Sequence, residues 1–285
     1  MNTTVKQLLG EFFASLFLGY LGLGVVVSMV VYGSVTGMLQ FGLTYAFVIA
    51  CVVAVFNAVS GAHFNPAVTL GLAAWGYFPK KMVLPYWLMQ FLGWGAGAAL
   101  LYVTFGADIT AFEAANGIVR GAPESAATAG IFFCSVKDPL IGILTEFVMT
   151  FFLVMVVFAF IDPKNANRPT PALFPIMVGL TVAFLVSFGG SMTGTAINPA
   201  RDFAPRVVAW LFGWGGVAFP GMWYVYFIGP LLGGVAGGGF YKLVVSKLIC
   251  SVDPAYVEPA PETHAYAPAQ ENAPASTIAS GVVSE

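Results

Sequence analysis

Residues 60–68 read SGAHFNPAV, and residues 194–202 read GTAINPARD. Both hold Asn-Pro-Ala, which is how a helix begins. Asn caps the first turn with its side chain, and Pro takes the first helical position, where a missing N–H is no loss. The apolar runs that follow, 66–76 and 199–212, are short. Eleven helical residues extend about 16 Å, against a hydrocarbon core of about 30 Å. Both runs therefore read as half-helices. Their approach segments, VSGAH and GGSMTGTA, are too rich in glycine and serine to continue a helix.

The rest of the chain places these half-helices inside a bilayer. Of 285 residues, 59% are apolar and only 8% charged, and the mean hydropathy is +0.86. A soluble domain carries about 25% charged residues. The apolar runs are too long and continuous for a membrane β-barrel. An all-α membrane protein is expected, with six full spans near 8–31, 39–59, 83–105, 140–161, 173–190 and 223–246. The first run is longer than a signal-peptide core, so it is expected to stay as a helix. Irregular backbone at membrane depth is tolerated only inside protein or along a wet cavity. The two approach segments therefore imply a cavity.

The chain repeats itself. Glu11 opens the first span and Asn65 follows 54 residues later; Glu146 lies near the start of the fourth span and Asn198 follows 52 later. Gly93 and Gly229 trail the two asparagines by 28 and 31 residues. Each repeat, about 5–105 and 138–248, holds three spans and one half-helix. Three is odd, so the repeats are inverted relative to each other. Small residues at every fourth position, Gly42 to Ala58 in the second span and Gly229, Gly233 and Gly237 in the sixth, are read as helix packing.

With six spans alternating, Lys6, Lys80, Lys81, Lys164, Arg168, Lys242 and Lys247 share one side. The positive-inside rule makes that side, with both termini, cytoplasmic. Residues 1–250 are read as one channel-like domain. Residues 251–285, rich in Pro, Ala, Ser and Glu, are read as a disordered cytoplasmic tail. With a net charge of −2, nothing suggests a nucleic-acid partner, and none is expected. Cys51, Cys134 and Cys250 have no metal spacing, and neither a disulfide framework, a metal nor a cofactor is expected.

Inverted half-helices would enter from opposite faces and meet near the middle. Each N-terminus carries partial positive charge and unpaired N–H groups, and Asn65 and Asn198 add amide donors. The loops before them offer carbonyls. A small neutral polar solute could exchange water for these groups, while a cation would meet positive potential.

In order and spacing, SGAHFNPAV and NPARDFAPR resemble the paired signature loops of the aquaporin family, over residues 5–248. The resemblance implies six tilted helices and two half-helices around one pore per protomer, assembled as a homotetramer in a plasma or bacterial inner membrane. It makes Asn65 and Asn198 the central donors. The acceptor ladder falls to the carbonyls of Gly61, Ala62, His63, Gly194, Thr195 and Ala196, and the constriction to Tyr45, Val186, Thr195 and Arg201. Arg201 would donate to passing hydroxyls and repel cations. Arg206, one turn on, is expected at the helix flank. Glu11 and Glu146 are either functional intramembrane acids or braces for the loops, and two symmetric copies favour braces. His63 is expected as a packed loop residue.

The solute is read from mixed signals. Val186 stands where strict water channels carry His, and Asp202, Arg206 and the long loops near 106–138 and 213–221 resemble the glycerol branch. Tyr226–Phe227 resembles the water branch. Glycerol and water are the expected permeants, with a strict water channel as the alternative. A secondary transporter, a different class, would need a carboxylate cluster at the midplane, which the sequence lacks. An enzyme is not expected: there is no His-Glu-x-x-His and no Gly-x-Ser-x-Gly.

Overall fold

In the computed structural model, which describes residues 2–252, helices α1 (Thr3–Val30), α2 (Met38–Ser60), α3 (Pro66–Ala74) and α4 (Val83–Ala115) form the first repeat. A one-turn α5 (Ala126–Ala129) lies in the central connection. The second repeat comprises α6 (Pro139–Ile161), α7 (Phe174–Thr193), α8 (Pro199–Ala209) and α9 (Val225–Phe240), which continues through a π-helical turn into α10 (Ser246–Val252). Six of these helical segments are long and apolar enough to cross a membrane.

Two boundaries differ from the sequence reading for one physical reason. Helix α2 runs to Ser60, and α7 runs through Gly189 and Gly190 to Thr193. Between each full helix and its half-helix only residues 61–65 and 194–198 are irregular. A glycine costs a helix about 1 kcal/mol. An unbonded peptide group in hydrocarbon costs several, so the helix persists through its poor formers. Helix α4 likewise continues ten residues past the expected end, to Ala115. Residues 106–115 are thus helix rather than inserted loop. The half-helices are shorter than expected: α3 stops at Ala74, and after Ala209 the chain kinks at Phe212 and Gly213.

The packing has a two-fold pattern. Helix α1 lies along α4, α6 lies along α9, and α2 meets α7 across the centre. The half-helices are exchanged: α3 packs on α9 of the second repeat, and α8 on α4 of the first. Glycines allow the closest crossings. A Cβ built on Gly97 would sit 2.4 Å from the Leu16 carbonyl oxygen, and one on Gly237 would sit 2.1 Å from that of Phe151. Of the small residues in α2, Gly42 and Ala46 pack inward, whereas Ala54 and Ala58 are exposed on the single chain. Helix α10 carries two residues, Ser251 and Val252, of the expected tail; residues 253–285, the remainder of that expectation, lie outside the described residues.

Candidate functional site

The two half-helix starts are bonded to each other. The Asn65 side-chain oxygen accepts from the Ala67 N–H at 2.9 Å, capping α3, and its Nδ2 donates to the Ile197 carbonyl at 2.8 Å. Asn198 mirrors it. Its oxygen accepts from Ala200 and Arg201 N–H at 3.0 and 3.2 Å, and its Nδ2 donates to the Phe64 carbonyl at 2.9 Å. Each amide has two N–H donors, so one remains beyond the cross-link. Both asparagines line the same cavity.

The loops entering this junction are contorted. Ala62, Phe64, Thr195 and Ile197 all have positive φ, between 38° and 50°, a region that side-chain-bearing residues seldom occupy. Two fully buried carboxylates hold them. Glu11 accepts from the N–H groups of His63 and Phe64 at 2.9 and 2.8 Å, and from Ser60 Oγ and Gln90 Nε2, both at 2.7 Å. Glu146 accepts from the N–H groups of Ala196 and Ile197 at 3.0 and 2.6 Å, and from Thr193 Oγ1 at 2.6 Å. With the N–H groups of His63, Phe64, Ala196 and Ile197 turned to the carboxylates, and those of Ala62 and Thr195 to Ser60 Oγ and Thr193 Oγ1, all six are satisfied within the protein. Gly61, Ala62, His63, Gly194, Thr195 and Ala196 all line the cavity. The Phe64 and Ile197 carbonyls are taken by the asparagines.

Some members of this scaffold have no counterpart in the sequence reading. Tyr86 and Tyr226 donate to the carbonyls of Ser60 and Thr193, at 2.9 and 3.0 Å. A hydroxyl residue five positions before each asparagine was the available signal for Ser60 and Thr193. Gln90 left none. The His63 ring is buried, sits edge-on to Phe78 at 4.9 Å, and places Nδ1 3.1 Å from Thr69 Oγ1.

On the α8 side of the junction, Tyr45, Val186, Thr195 and Arg201 all line the cavity. Arg201 is 7% exposed, and its Nη1 donates to the Phe132 carbonyl at 3.1 Å. The Tyr45 hydroxyl interacts with the same guanidinium. Thr195 Oγ1 bonds to Met149 Sδ at 3.7 Å.

Arg206 departs from the flank expected of it. It is fully buried and pairs with Asp202 at 2.8 Å, with its guanidinium 4.1 Å from the Phe133 ring centroid. It also donates to the carbonyls of Cys134 and Ala218, at 2.9 and 2.7 Å, while Asp202 accepts from the Cys134 N–H at 2.8 Å. A helix-flank arginine would be solvated; this one ties the connection 132–134 to α8, and so positions the carbonyl that Arg201 uses. Burial pushes the Cys134 thiol there up to about 12, so it stays neutral.

Much of the remaining lining is apolar. Val53, Leu72, Leu153, Val157, Ile161, Val178 and Val182 supply it. Tyr226 and Phe227, in contrast, stand off the cavity: Phe227 packs among Phe91, Phe203 and Trp223. That pair therefore makes no contribution to the cavity wall.

Comparison with known proteins agrees with this architecture. The sequence pattern of the family described as Major intrinsic protein matches residues 1–241. The propanediol uptake facilitator PduF of Salmonella typhimurium is 34% identical over 256 residues, covering 87% of this chain and 97% of that protein. The glycerol uptake facilitator protein of Escherichia coli K12 is 35% identical over 261 residues, covering 88% and 92%. The X-ray structure of the aquaglyceroporin from Plasmodium falciparum superposes with a TM-score of 0.75 at 23% identity, over 86% of this chain and 98% of that one.

Proposed function

This chain belongs to the major intrinsic protein family, and from that premise we propose a passive channel for glycerol, water and similarly small uncharged solutes. As a multi-pass membrane protein with a cavity through its centre, it works without making or breaking a bond. The observation that carries the reading is the mixed lining of the cavity. The two irregular loops and the Asn65 and Asn198 amides bring polar groups to it, and Val53, Leu72, Leu153, Val157, Val178 and Val182 bring aliphatic ones. A polyol has the same two kinds of surface, with hydroxyls on one edge and carbons on the other. Its hydroxyls keep hydrogen-bond partners while its carbons leave water at little cost.

In this reading Arg201, Tyr45, Val186 and Thr195 form the selective constriction, and Glu11 and Glu146 brace the loops. Arg201 and the two half-helix N-termini set the positive barrier to cations. The charge distribution puts both termini in the cytoplasm, and the resemblance to aquaporins makes the assembly a homotetramer. Residues 1–250 form the channel domain.

The test is stopped-flow swelling of liposomes holding the purified protein. Glycerol and water permeabilities are expected to rise well above those of empty vesicles. Glycerol should equilibrate without accumulating, and a protonophore should change nothing. Water flux with glycerol excluded would leave a strict water channel; accumulation driven by an ion gradient would make it a transporter. Val186→His, which narrows the constriction and adds a polar group, is expected to shift selectivity toward water.

A further inference from the structure

Thr195 is bonded, through its side chain, to a residue outside the constriction. Its hydroxyl donates to Met149 Sδ at 3.7 Å. Met149 stands on α6, three residues past the Glu146 brace, and is 2% exposed. It reaches Thr195 through a gap in α7. A Cβ built on Gly189 would lie 2.1 Å from Met149 Sδ and 3.3 Å from Thr195 Oγ1. The Thr195 backbone has little freedom of its own: φ is +50° and its N–H donates to Thr193 Oγ1 at 3.2 Å. The side-chain rotor is what remains to be set, and the thioether sets it.

A threonine hydroxyl has one hydrogen and two lone-pair directions, whereas arginine only donates. With its hydrogen turned to sulfur, Thr195 offers the cavity an acceptor, on the same constriction where Arg201 offers donors. We propose that Met149 is a specificity-determining positioning residue. By holding the Thr195 hydroxyl as an acceptor, it matches the constriction to solutes with adjacent hydroxyls, one accepting from Arg201 and the next donating to Thr195. Water is affected less, because a single small molecule reorients to meet either polarity. The inference rests on the cavity being the conduction path.

The experiment compares full-length wild type, Met149→Leu, Thr195→Val and the double variant in liposomes, reading the ratio of glycerol to water permeability. Leucine keeps the volume of methionine and removes the acceptor. The ratio is expected to fall about threefold to fivefold in Met149→Leu, the size of one modest hydrogen bond. In the Thr195→Val background the same substitution should leave the ratio where it is, because no hydroxyl is left to orient. An unchanged ratio in Met149→Leu, or an equal fall in both backgrounds, makes Met149 a packing residue and overturns the inference. Met149→Ile, with the same loss in a different shape, is expected to repeat the result and serves if the leucine variant does not assemble. Wild-type liposomes that exclude glycerol would instead refute the proposed permeant, a failure visible before any variant is compared.

Discussion

An arginine at 7% exposure, inside a helical membrane protein, persists only where its charge is met. Arg201 has the Phe132 carbonyl on one nitrogen and the Tyr45 hydroxyl nearby, and it lines the cavity. Replacing it with Val removes fixed positive charge from the constriction. Arg201→Val is expected to admit cations or protons, seen as planar-bilayer current above the wild-type background, with the fold retained. The two braces give a second residue-level test. Each oxygen of Glu146 faces a backbone N–H, Ala196 on one and Ile197 on the other. Glutamine must then turn its own NH₂ toward one of them, whichever way it flips. Glu146→Gln is expected to cost about 2–3 kcal/mol, the cost of an unsatisfied buried donor with a charge-assisted bond lost. The check is a lower thermal midpoint in detergent together with reduced solute flux. Of these details, the sequence offered the residue names and their symmetric spacing. It did not offer their partners, and it misplaced Arg206, because a neighbour 68 residues away from Asp202 decides that burial.

Among the elements, the half-helices were the most legible. Pro66 and Pro199 sit at the first helical position and Asn65 and Asn198 cap, as local chemistry dictates. Helix C-termini were least legible, since glycine and serine propensities that end a helix in water are overruled where water is absent. Helix pairing depends on backbone contact at glycines. The Cβ of Gly237→Ala would meet the carbonyl of Phe151 at 2.1 Å, backbone that cannot rotate away. That variant is expected to force α6 and α9 apart, with loss of folded protein on size-exclusion chromatography. Gly216→Ala, with open space around its Cβ, is expected to elute as wild type.

For the whole molecule, the exchange of half-helices interlocks the two repeats. Neither α3 nor α8 rests mainly on its own half, so the cavity exists only when both halves have folded together. Residues 253–285 follow the second repeat and have the composition of a chain with little to bury. Ending the chain after Val252 is expected to leave assembly and permeability within about twofold of wild type; a truncated protein that does not conduct would make the tail part of the channel. The sequence by itself determined the membrane setting, the six spans, the two half-helix starts and the inverted repeat. Hydropathy, capping and periodicity are properties of contiguous residues, so a single chain displays them. The tertiary structure alone decided the Asn65–Ile197 and Asn198–Phe64 cross-bonds, the Asp202–Arg206 strut and the reach of Met149 to Thr195. These depend on how closely particular backbones approach, through gaps at single glycines, and no local pattern encodes that distance.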